Sequence, residues 1–192
     1  MKKTITLLTA GFMVVAGLAQ ATTYNVNSSV GGGTVSGYFE TDGTIGALTA
    51  GNFLDWSLTV TAADINGGVA STSSKSGGQA LSYNYGSLTS LSASATDIFF
   101  DFSGDDLFYT YTASGDFWCV AGANTPTYGC FVPGAEVIGY DDNSFNYGEY
   151  TSYSGSKSIA SVAAAVPLPA ALPLLLLGLG GLGFAARRRK VA

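Results

Sequence analysis

The residues able to do chemistry in this chain are few. It contains no histidine and two cysteines, Cys119 and Cys130. Without an imidazole, the Ser/His and Cys/His catalytic pairs and most zinc sites have no base or ligand to use. Carboxylates remain. Asp105-Asp106 and Asp141-Asp142-Asn143 stand in turn-like contexts. Their simplest reading is acidic turn residues. The functional alternative is a weak oxygen-ligand calcium site at Asp105, Asp106, Asp141 and Asp142, although no EF-hand spacing is present. Glycosidase chemistry needs two carboxyls facing one cleft, and nothing in the linear order shows that geometry. No catalytic residue and no resident cofactor are therefore expected, and the chain does not read as an enzyme. Trp56, Trp118 and the many tyrosines offer surfaces on which sugars stack. Trp56 is also explained as core, because it alternates with leucine and valine.

The cysteines depend on the compartment, which the N-terminus indicates. Lys2 and Lys3 precede a mostly apolar run from Ile5 to Leu18, and Ala19-Gln20-Ala21 is a small-x-small site. The run is shorter than the roughly 20 residues that a spanning helix needs. A secretory signal over residues 1–21, cleaved after Ala21, is the reading, with an uncleaved anchor as the alternative. Export places Cys119 and Cys130 in an oxidising compartment, where pairing is the default. Gly122, Pro126 and Gly129 between them favour a chain that turns back, so a disulfide is expected, and two reduced thiols are the alternative.

Charge is distributed unevenly. Six of the eight lysines and arginines lie at the two ends, leaving Lys75 and Lys157 against thirteen carboxylates in residues 22–165, a net charge of −11 there rather than the −5 of the whole chain. Such a domain repels phosphate backbones, which excludes nucleic acid as an expected partner.

Residues 22–165 must provide whatever positions these groups. The segment is rich in Gly, Ser, Thr, Tyr and Phe, with recurrent turn residues, which predicts an all-β domain. Period-two alternation predicts a strand from Phe53 to Ala62, with Leu54, Trp56, Leu58 and Val60 on its core face. A strand from Gly33 to Thr41 precedes it, with Val35, Gly37 and Phe39 on one face. Asp97–Phe102 and Leu107–Thr112 alternate on either side of Ser103-Gly104-Asp105-Asp106, which predicts a β-hairpin. Phe117–Ala121 follows as a strand, with Trp118 opposite Phe117 and Cys119. Weaker strand signals cover Gln79–Tyr85 and Glu136–Tyr140, Ser71–Gly78 reads as a polar loop, and the last part of Tyr147–Ala165 reads as either a final strand or the start of the spacer to the tail. The expected architecture is an antiparallel β-sandwich, jelly-roll-like.

The remaining segment, residues 166–192, has three parts. Val166-Pro167-Leu168-Pro169-Ala170 carries two prolines, Ala171 to Ala186 is apolar with glycines at 178, 180, 181 and 183, and Arg187-Arg188-Arg189-Lys190 is basic. A helix over 170–186 is about 25 Å long, near the lower limit for crossing a bilayer core. Pro173 falls in its first turn, where a missing donor is tolerated. The positive-inside rule keeps the basic cluster cytoplasmic and the domain outside.

Motif, apolar span and terminal basic cluster together resemble the PEP-CTERM family of sorting signals, in the variant written VPLPA-CTERM, over about 25 residues. Leu168 stands where the commoner motif has Glu, which points to the variant. The resemblance implies recognition of Val166, Pro167, Leu168, Pro169 and Ala170 by an exosortase, a membrane-embedded cysteine enzyme of Gram-negative bacteria that often make exopolysaccharide. It implies an exported protein held in the inner membrane and then released to the cell surface or matrix, in a structural or interaction role. Exopolysaccharide is a possible partner, and a surface-displayed carbohydrate-binding module is the alternative. A plain single-span anchor is the simpler account of the tail.

Overall fold

A computed structural model of the protein describes residues 20–63, 65–84, 86–125, 130, 132–140 and 146–163. The expected signal peptide, apart from Gln20 and Ala21, and the whole 166–192 tail lie outside them. The chain divides into two compact units, Met1–Val162 and Ala163–Ala192, and all strands described below belong to the first.

In chain order the strands are β1 (Thr22–Val30), β2 (Gly33–Thr41), β3 (Gly46–Ala47), β4 (Phe53–Thr61), β5 (Ser71–Ser74), β6 (Leu81–Asn84) and β7 (Leu91–Ala93). They continue as β8 (Asp97–Asp101), β9 (Leu107–Tyr111), β10 (Asp116–Ala121), β11 (Ala135–Tyr140), β12 (Asn146–Ser152) and β13 (Ser156–Ser161). Two antiparallel sheets result, an eight-stranded one in the order β3-β7-β8-β13-β1-β2-β4-β5 and a five-stranded one in the order β12-β11-β10-β9-β6. They face each other as a β-sandwich. Phe39 and Phe53 of the larger sheet meet Phe108 and Trp118 of the smaller one, with ring centroids 5.3 to 6.0 Å apart, the separation of favourable aromatic pairs.

The alternation places most core residues as expected. Val35, Phe39, Ile98, Phe100 and Phe102 are fully buried. Trp118 points inward with Val120, while Phe117, Cys119 and Ala121 point to the other face of the same strand. The tight β1–β2 hairpin turns at Gly31-Gly32, and its register runs unbroken from Thr22↔Thr41 to Val30↔Gly33.

Three expectations are corrected. Leu54 is 44% exposed and Phe53 is buried in its place. Thr41 pairs with Phe53 and Glu40 with Asp55, so Leu54 has no residue opposite it. This bulge reverses the inward phase, because one extra residue in a period-two strand flips every side chain beyond it. The hairpin expected from Asp97 to Thr112 does not form. β8 pairs with β7 and β13, β9 pairs with β6 and β10, and the chain crosses between sheets at residues 102–106. Alternation reports which face of a strand is buried, not which strand lies beside it. Finally, Ser71–Ser74 is the edge strand β5 rather than loop, paired with Ser57–Val60 of β4.

Candidate functional site

Four groups concentrate the chemistry of the described residues: the carboxylates of Asp106, Glu136 and Asp116, and the disulfide face of the smaller sheet.

Asp106 is fully buried where the chain crosses between sheets. Its Oδ2 accepts from Tyr83 Oη at 2.9 Å and from the amides of Thr89 at 2.8 Å and Ser90 at 2.7 Å; its Oδ1 accepts from the Leu88 amide at 2.7 Å. Burial by itself raises the pKa of this carboxyl. The bonds from Ser90, Leu88 and Tyr83 outweigh that and hold it below the ordinary carboxylate value. Burial, together with the neighbouring carboxylate, pushes the Tyr83 phenol up. The arrangement holds Leu88 at φ 53°, in the left-handed region that a leucine seldom occupies. The oxygens of Asp106 are thus occupied by donors of the protein itself. Asp105 accepts from the Ser87 amide and hydroxyl at 3.1 and 3.2 Å. Asp141 and Asp142 lie outside the described residues. Among the described residues no group of three or more His, Cys, Asp or Glu comes together as a metal site.

Glu136, which sequence reasoning did not single out, is 1% exposed in β11. Its Oε1 accepts from Trp118 Nε1 at 2.9 Å, and its Oε2 from Ser28 Oγ at 2.7 Å. Lys157 Nζ lies 3.8 Å away, over the ring of Tyr153 at 3.5 Å. One carboxylate therefore joins β10 and β11 of the smaller sheet to β1 and β13 of the larger. The available signal was a lone acid between Ala135 and Val137-Ile138 in a chain whose exported part has only two cations. Asp116, 3% exposed, accepts from Ser71 Oγ and from Ser114 Oγ at 2.8 Å.

Cys119 and Cys130 form the expected disulfide, with Cα atoms 6.1 Å apart. It sits on the face of the smaller sheet turned away from the sandwich core, in an apolar cluster with Leu107, Phe117, Ala121, Ala135 and Val137. Tyr109 and Tyr111 stack edge-on beside it at 5.5 Å. The two tryptophans are not on the surface. Trp118 is fully buried and Trp56 is 7% exposed, so neither presents a ring face to a sugar. Trp56 Nε1 is the one buried side-chain polar atom of the described residues without a hydrogen-bond partner.

With these positions established, comparison with known proteins adds one finding. Residues 165–190 match the family model described as the PEP-CTERM protein-sorting motif. The match spans the Val166–Ala170 motif, the apolar run and the Arg187, Arg188, Arg189, Lys190 cluster, and it implies an exported chain processed by an exosortase-type enzyme. No curated protein and no solved structure matches the chain. No helix among the described residues is long and apolar enough to cross a membrane.

Proposed function

We propose that this protein is a cell-surface or extracellular-matrix component whose jelly-roll-like sandwich plays a structural or interaction role, delivered by an exosortase specific for the VPLPA form of the signal. The sorting-motif match at residues 165–190 carries the reading. Cleavage after Ala21 suits the fold. Thr22 is the first residue of β1 and already pairs with Thr41, so a chain starting there keeps its whole first strand. In the tail, each proline lacks a backbone donor and drives the residue before it out of helix. The two prolines thus disfavour helix within the motif, which suits recognition by a peptidase-like enzyme, and the apolar run and basic cluster suit retention and orientation at the inner membrane. No catalytic role is proposed for the sandwich, because its buried carboxylates are taken up by internal donors. A carbohydrate-binding role would have to rest on surface tyrosines, since both tryptophans are interior.

Intact-mass measurement of the protein recovered from its native host tests this. Processing removes the C-terminal residues including Val191 and Ala192, and Pro167→Ala with Pro169→Ala leaves full-length chain in the membrane. A mature wild-type protein that keeps Val191 and Ala192 refutes the assignment.

A further inference from the structure

The edge strand β5 is built unlike its neighbours. It is the only strand among those described with no apolar residue, its sequence being Ser-Thr-Ser-Ser. Its two inward positions are Ser71 and Ser73, both buried. Opposite Ser73 and Ser71, β4 carries the inward Leu58 and Val60. The serines reach the smaller sheet through hydrogen bonds. Ser71 Oγ donates to Asp116, which Ser114 Oγ also reaches, and Ser73 Oγ meets Thr110 Oγ1 at 2.5 Å. Thr110 in turn donates to the Ala80 carbonyl at 2.8 Å.

The flanks of this strand are jointed. Gly67 and Gly68 stand before it at φ 64° and 81°, and Gly78 stands after it at φ 79°. A Cβ on Gly67 or Gly78 would meet nothing within 4 Å, so backbone freedom rather than space accounts for glycine at these two positions. Apolar anchoring resumes only outside the joints, at Ile65 and Leu81, both buried. Between them Val69 is 61% exposed.

We propose that residues 69–76 form a strap, hinged at Gly67-Gly68 and Gly77-Gly78 and latched by the Ser71–Asp116 and Ser73–Thr110 contacts, that opens while the rest of the sandwich stays folded. The strap's own buried side chains are serines, so opening withdraws none of its apolar side chains from the core. Besides the latch bonds it breaks the ladder to β4, the Thr59–Thr72 contact and the Lys75 bond to the Leu54 carbonyl, polar bonds that water can replace. Elements with few buried apolar contacts belong to the low-stability end of a structure. The open strap frees the backbone edge of β4 from Ser57 to Val60, which β5 otherwise pairs. The sandwich thus carries a conditional edge, closed by a removable strand.

Hydrogen exchange on the purified full chain in detergent tests this. Amides of residues 70–76 exchange at least tenfold faster than those of residues 35–39 in β2, which is paired on both sides. A chain with Ser73→Cys and Thr110→Cys, cross-linked as verified by mass, brings residues 70–76 to the β2 rate. Wild-type strap amides exchanging within twofold of β2 overturn the proposal. So does fast strap exchange in the cross-linked chain. The wild-type comparison decides the question even if the double variant does not fold.

Discussion

Removing the Glu136 side chain with Glu136→Ala takes away the acceptor that the fully buried Trp118 indole uses among the described residues and the partner of Ser28 Oγ. A buried donor left unpaired costs about 1–3 kcal/mol, and bonds to charged groups are the stronger kind. The Lys157 contribution is smaller, because its side chain is 35% exposed, the contact is 3.8 Å long, and the ammonium can return to water and stay over Tyr153. The two lost donors and the cavity left by the side chain together give an expected loss of about 3–5 kcal/mol, the range for removing one member of a buried charged network. In a domain of this size that lowers Tm by about 6–20 °C. Glu136→Gln keeps an acceptor for Trp118 and a group able to donate to Ser28 Oγ, so about 1–2 kcal/mol is expected. Urea unfolding of both variants, followed by tryptophan fluorescence with the disulfide intact, measures the difference. If Glu136→Ala loses under about 1 kcal/mol, or if Gln and Ala cost the same, Glu136 does not clamp the sheets as described.

Two further outcomes follow from the same geometry. Because the Asp106 carboxyl is held below its usual value of 3.8 in the folded chain, its ionised form adds stability that is present above that value and lost as pH falls through the lower folded-state value. Asp106→Asn should therefore be less stable than wild type at pH 6, with the gap in Tm closing below pH 3.8; a gap independent of pH contradicts the role of the charge. Cys119→Ser with Cys130→Ser opens a loop with a sequence separation of 11 and should cost about 3 kcal/mol by the loop-entropy model, read as a lower urea midpoint than that of the oxidised wild type. An unchanged midpoint means that the apolar cluster holds Cys119 and Cys130 together without the bond.

Much of this protein was legible in its sequence because the signals are local. The motif, apolar run and basic cluster from Val166 to Lys190 form one continuous segment, whose physical demands at a bilayer do not depend on the rest of the chain. Alternation buried Val35, Phe39, Ile98, Phe100 and Phe102, because period two follows from strand geometry alone. The cysteines stood close enough for a turn to bring them together.

Tertiary structure decided what depends on partners distant in the chain. Strand pairing is one such matter: Asp97–Asp101 joins Ser156–Ser161 rather than Leu107–Tyr111, and no local pattern encodes that choice. The bulge at Leu54 is another, since it exists only relative to Glu40 and Thr41 across the ladder. The three buried carboxylates are a third. Glu136 finds Ser28 a hundred and eight positions away, Asp116 finds Ser71 forty-five away, and Asp106 takes its donors from residues 83–90. In the linear order Glu136 and Asp116 read as ordinary acids, and Asp106 as an acidic turn residue or a weak calcium ligand. Only the closed sandwich, which removes water and leaves these carboxylates to donors from other segments of the chain, turns them into ties within the fold.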